Sequence, residues 1–317
     1  MPTLPTLHAG LVIQRPTATA TLAAIARAEE QGVTTAWSTV GGNAPDAVTL
    51  FAAAAARTTR IGFGTAIVPT YPRHPATLAS QALVFASLAP GRFRLGIGPS
   101  HRPVIEGMLG LPMGKPLDHL REYVMVLRGL LWEGKTDFEG EYFRVHTALP
   151  PGTEPPRTPL PISALRANAF HLAGEIADGA ISWLCPVPYL IGTALPALRA
   201  GAAAAGRPTP PLIGHVPVAM HTDRNAVREK ARAQFARYGQ LPFYAHMFAD
   251  AGFPVSADGT VSDALLDSLV VSGDAEMVAA RLHEIQNAGV DELLILPVPI
   301  ADAEAEADTL AALLART

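Results

Sequence analysis

The chain has 317 residues, 49% of them hydrophobic and 16% charged, with a formal net charge of -4. That length and apolar share suit one large α/β barrel or two ordinary domains, while the weak charge and the lack of any Lys or Arg run exclude a basic field for nucleic acid. The single cysteine, Cys185, excludes an internal disulfide framework and suits a reducing compartment.

The opening MPTLPTLHAG lacks the cationic start and apolar run of a secretory signal. Pro, Arg or Asp interrupts every long apolar window, so no membrane span is expected and the protein is read as cytoplasmic.

Strand-like and helical runs then alternate at intervals of roughly forty residues, the signature of strand-helix units on a parallel sheet. The predicted order is strand 8–13, helix 18–31, strand 34–39, helix 45–57, strand 60–67, helix 75–88, strand 92–97 and helix 119–133. It continues with strand 160–165, helix 168–177, strand 179–184, strand 212–221, helix 224–238, helix 274–288, strand 292–296 and helix 303–315. The strands are continuously apolar, as strands covered on both faces must be. Two segments exceed the repeat. Residues 135–158 read as a hairpin turning at Glu139-Gly140 followed by a proline-rich bridge, and residues 239–269 mix aromatics with Pro and Gly, as an insertion over a pocket or subunit contact would. Half a barrel would expose its core, so residues 1–317 are read as one domain, a single (β/α)8 TIM barrel with insertions.

In such a fold ligands bind at the carboxyl ends of the strands, which draws attention to residues 65–71 and 98–101. Other barrel chemistries fit poorly. The ten histidines form no His-x-His pair and no His-Glu-x-x-His helix, so no metal site is expected. No pair of glutamates stands at the middle strand ends for glycoside cleavage. The run Gly96-Ile97-Gly98-Pro99-Ser100-His101 lacks the third glycine of a dinucleotide fingerprint.

The runs GTAIVPTYPRHPATLASQA, GRFRLGIGPSH, PLDHLREYVMVLRGLLWEGKTDFEGEYFRV and LAGEIADGAISW resemble the bacterial luciferase-like family, and the similarity extends through SGDAEMVAARLHEIQNAGVDELLIL. RHP before a helix, GRFRLGIGPSH, and REYV followed by LLWEG are similar to the branch of oxidoreductases that use coenzyme F420. The resemblance implies hydride transfer between that deazaflavin and a small organic substrate. The alternatives are monooxygenation with reduced FMN from a partner reductase, and a flavin-binding barrel without catalysis. It also implies a homodimer packed through the early helices, and leaves room for an F420 or flavin reductase as partner.

Residue by residue, the resemblance implies a non-proline cis peptide at Ala66-Ile67, with Thr65 and Ala66 allowing close approach of the ring and Ile67 backing it. Trp37 and Ser38 stand where relatives place a polar pair near the reactive face, although Trp37 equally suits a core position. Pro99, Ser100 and His101 follow the fourth strand. His101 could move the proton that accompanies hydride, grip the cofactor, or simply bond to loop backbone. Arg73 could clamp a phosphate or lie on the surface. Ala164, Leu165 and Arg166, with Gly179 and Ala180, match the region that surrounds the cofactor phosphate, where helix-start amides favour an anion. Asp178 is read as a structural turn carboxylate and Glu175 as helix surface.

Overall fold

Most barrel strands are only two to four residues long, and Leu212–Ala219 with eight is the longest, yet together they close a ring. In the computed structural model, Ala9–Val12 lies between Thr35–Ser38 and Glu292–Pro297. The third strand, Gly62–Thr65, breaks at Ala66 and Ile67 and resumes as Val68–Pro69. The fourth breaks in the same way between Phe93–Arg94 and Ile97–Gly98. Their first halves pair with each other, their second halves likewise, and Ile97 then pairs with Ile162. The ring passes through Ile162–Ser163, Ala180–Ile181 and Leu212–Ala219 back to Glu292–Pro297, every pairing parallel. All eight predicted strands are therefore present as a closed barrel, although several are shorter than expected. The described residues are 7–40 and 45–316, so the first six residues, on which part of the secretory-signal expectation rests, lie outside them. Among the described residues no helix is long and apolar enough to cross a membrane.

Local chemistry starts the helices. Asp46, Asp223 and Asp274 each accept a first-turn N–H, a cap that typically contributes about 1 kcal/mol. Pro75 opens Pro75–Leu88 at the position where its missing N–H is harmless, and His74 caps it by accepting from Ala76.

Three departures have identifiable causes. The hairpin joins Lys135–Glu139 to Arg144–Ala148 through a four-residue loop rather than a turn at Glu139-Gly140. The Glu122 carboxylate accepts the N–H groups of Glu141, Tyr142 and Phe143 at 2.8, 2.8 and 3.0 Å, which holds the wider loop. Helix Leu195–Ala204 was not foreseen. It packs against Ala167–Ile176 so closely that a Cβ on Gly201 would come within 1.9 Å of the His171 carbonyl. The 239–269 insertion contains two helices, Pro242–Asp250 and Asp263–Leu269, and leads into Val271–Ser272, which pairs with the end of the seventh strand.

Candidate active site

The carboxyl ends of the strands carry unusual backbone. Ala66-Ile67 is a non-proline cis peptide. Ser100 after the fourth strand and Leu184 after the sixth have φ of 61° and 52°, a left-handed conformation that costs side-chain-bearing residues of order 1 kcal/mol or more and concentrates at ligand sites.

Strand alternation turns two aromatic groups to the inner side of the barrel, Trp183 just past the end of its strand and His215 within its own. Ile181 and Ile213 belong to the cluster inside the barrel, and two residues further along, Trp183 and His215 keep the same side. Their rings stack at 3.7 Å with 23° between planes. Trp183 Nε1 donates to the Tyr238 hydroxyl at 3.1 Å, and Tyr238 meets Tyr244 edge-on. The Leu184 N–H donates to His215 Nδ1 at 3.2 Å, so the neutral imidazole carries its proton on Nε2. That Nε2 is buried with no acceptor. Burial pushes the His215 pKa down to about 3, which keeps the ring uncharged.

His101 lies beyond the fourth strand against the edge of Tyr244, ring centroids 5.6 Å apart. Burial first, then the Arg237 guanidinium, holds its pKa below 6.5. It lines a cavity of about 580 Å³ between segment Pro103–Met108 and the start of helix Pro242–Asp250. A cavity of about 780 Å³ beside Met125 and the hairpin lies outside the barrel and is lined by no residue from a barrel strand's carboxyl end, so the His101 cavity is the functional candidate.

The remaining sequence candidates are placed as follows. Ile67 is half-buried and packs, with Trp183 and Leu296, on the interior cluster that includes Ala66. Pro99 and Ser100 are half-buried beside His101. Thr65 is fully buried, its hydroxyl donating to the Gly96 carbonyl at 2.8 Å, so it clasps the third and fourth strands.

Trp37 and Ser38 need correcting as groups at the reactive face. Trp37 has no exposed surface and fills the barrel interior. Gly10 and Gly64 make room for it, since a Cβ at either would come within 2.6 or 2.3 Å of the indole. Arg94 stacks on its ring at 4.6 Å, and its Nε1 has no acceptor. Ser38, on the opposite face of the strand, is 3% exposed and donates to the Thr39 carbonyl.

Gly179 and Ala180 are corrected too. They stand at the amino end of the sixth strand, where Gly179 O accepts from Ile162 and Ala180 N donates to Pro211, whereas Trp183 and Cys185 occupy the opposite end. Ala164 is buried, Leu165 half-buried, and Arg166 precedes helix Ala167–Ile176, whose first turn has no side-chain cap. Arg166 itself pairs with Asp250 at 3.2 Å. Arg73 is held by Asp46 at 2.6 Å. Burial would raise the Asp46 pKa, but the bonds from Arg73 and Thr49 outweigh it and hold the carboxyl below its usual value. The Asp46 contact uses only Nη2 of Arg73, and its Nη1 is buried with no partner, a donor still open to an anion. Asp178 accepts from Arg128 and the Leu160 N–H, a structural role.

Sequence reasoning missed Trp183, His215, Tyr238 and Tyr244. For Trp183 and His215 the available signal was period-two alternation from Ile181 and Ile213 within the predicted strands 179–184 and 212–221; Tyr238 and Tyr244 lie on helices, where that signal does not reach.

Comparison with known proteins gives the family and the fold. The family described as luciferase-like monooxygenase matches residues 3–292. The F420-dependent glucose-6-phosphate dehydrogenase of Kineococcus radiotolerans is 27% identical over 288 residues, covering 84% of this chain and 84% of that protein. An F420-dependent secondary alcohol dehydrogenase, solved with an F420-acetone adduct, superposes with a TM-score of 0.79 at 20% identity, covering 96% of this chain and 97% of that one. The FMN-bound oxygenating component of 3,6-diketocamphane monooxygenase from Pseudomonas putida gives 0.70 at 18% identity, covering 98% and 96%. At those identities the two structures establish the barrel alone, while the family match spans most of the sequence: the chain belongs to the luciferase-like monooxygenase family.

Proposed function

We propose that this chain is an F420-dependent oxidoreductase acting on a small organic substrate. The observation that carries the reading is a cavity whose two charged lining residues, Arg102 and Glu106, pair with each other, leaving His101 in its wall as the group able to handle a proton. Relatives named for F420 use support the choice of coenzyme.

The residues present suit a planar ring with an acidic tail. Ile67 and Leu296 offer half-buried apolar surface at the mouth. His215 Nε2 is a buried donor awaiting an acceptor, and the uncapped first turn at Ala167 leaves amides open to an anion. When bound, the deazaflavin supplies the hydride acceptor or donor. Oxidising an alcohol also releases the hydroxyl proton, and uncharged His101 is the group that accepts it; in the reverse direction the same nitrogen returns it. Trp183, Tyr238 and Tyr244 form an aromatic wall that keeps water from that exchange.

Titration of the protein with F420 and with FMN, followed by oxygen-uptake measurements, tests the reading. F420 binding without oxygen uptake is expected. Tight binding of reduced FMN with oxygen consumption would replace it with monooxygenation, which the fold shared with the Pseudomonas putida enzyme makes the second reading.

A further inference from the structure

The cavity beside His101 has a chemical character that narrows the substrate. Its walls are largely Pro103, Gly107, Leu241, Pro242 and Phe243. The two charged residues among its lining answer each other: Arg102 pairs with Glu106 one helical turn away. Arg102 also donates to the Gly114 carbonyl, and Glu106 accepts from the Met113 N–H. Neither charge is left for a ligand. Phe243 is 48% exposed, and Met108 and Leu109, which directly follow the lining segment, are 58% and 44% exposed. Large apolar groups offered to water beside a pocket mark a binding surface rather than a packing need. Arg237 is exposed and lies over Tyr238 at 5.2 Å; its charge is felt at His101, but it is not among the residues that line the cavity.

From these features we infer that the cavity takes a neutral substrate with an apolar body and one carbonyl or hydroxyl group directed at His101, and not a sugar phosphate. A phosphate dianion placed there would lose water without finding an unpaired cation among the lining residues, whereas an apolar body gains by leaving water. The inference rests on the oxidoreductase reading for what happens at His101, but the binding it describes stands apart from coenzyme.

Calorimetric titration of the coenzyme-free protein with acetophenone, 1-phenylethanol and glucose 6-phosphate separates the two. The aryl ketone and its alcohol are expected to bind, and glucose 6-phosphate to give no saturable heat. A Cβ on Gly107 would meet no atom within 4 Å, so Gly107→Phe can project into the cavity without disturbing the barrel. This variant should weaken acetophenone at least tenfold while leaving the melting temperature and F420 affinity unchanged. Phe243→Glu, at an exposed position, provides a second block by charge and should weaken acetophenone in the same direction. Saturable glucose 6-phosphate binding stronger than that of acetophenone, or acetophenone binding indifferent to both variants, overturns the inference. Failure to bind either coenzyme falls on the oxidoreductase reading instead, and the acetophenone titrations still decide the cavity.

Discussion

The two ends of the barrel treat polar groups in opposite ways. At the amino end, Arg94 meets Glu292 through two contacts, Asp178 joins Arg128 to the Leu160 N–H, and Asp291 accepts from the Leu212 N–H at 2.8 Å. At the carboxyl end, Arg73 keeps a buried Nη1 without a partner, Ser100 and Leu184 hold left-handed backbone, and helix Ala167–Ile176 starts uncapped. One end is closed chemically and serves the fold. The other is left open for something the chain does not itself contain.

The largest expected effect lies below the mouth. Trp37→Ala empties the space that Gly10 and Gly64 reserve and should destabilise the protein by about 4 kcal/mol in urea unfolding, as buried aromatic truncations do. A loss under about 1 kcal/mol would show that the interior is not packed as described.

At the mouth the order of effects reverses, with chemistry hit harder than folding. His101→Ala should slow single-turnover hydride transfer about 100-fold at saturating coenzyme, with stability changed by less than about 1 kcal/mol. Because His101 titrates below 6.5, alcohol oxidation by the native protein should fall as acid protonates it, and the variant should lose that limb. An unchanged rate at saturation would leave His101 a contact residue.

Acid should next reveal the buried imidazole. The unfolded chain protonates His215 near 6.5 while the folded protein resists down to about 3, so between those values the unfolded state binds more protons and stability falls as pH falls. The slope is about 1.4 kcal/mol per pH unit once well below 6.5. His119, lowered to about 4 chiefly by burial, adds to it over a narrower window. Urea midpoints measured from pH 7 to pH 5 should therefore drop less steeply in His215→Gln than in the native protein; equal slopes would mean His215 is not buried as an uncharged ring.

The smallest effect is expected at Arg166, whose bond to Asp250 is between two half-exposed side chains. Arg166→Ala should change stability by about 0–1 kcal/mol, as surface pairs do. Coenzyme affinity should weaken less than tenfold if the open amides hold the phosphate. A larger loss would make the side chain the main anion partner.

Continuous apolar strands separated by capped helices made the eight units readable, since each signal is local. Helix Leu195–Ala204 escaped because its Ala- and Gly-rich sequence has no strong polar face. What fixes it is the contact between Gly201 and His171, a relation between positions far apart in the chain. The cis peptide at Ala66-Ile67 was legible through family resemblance alone, as no side-chain pattern announces it. Trp37 looked like a site residue because it ends a strand, but the side it faces and the glycines on neighbouring strands decide its place. Gly179 and Ala180 were assigned by motif proximity, and strand direction sends them to the wrong end. Trp183 and His215 become visible once alternation inside the barrel is followed along the predicted strands.

The stacking of Trp183 on His215 has an optical consequence. The chain has three tryptophans. Trp37 is sealed in the interior, and Trp132 is fixed beside Arg128, with its Nε1 bound to the Thr158 carbonyl. Trp183 alone combines a half-exposed indole with a place at the mouth. An arriving ligand should therefore change the emission of one fluorophore while the other two supply a constant background, giving the protein its own reporter of occupancy without any label.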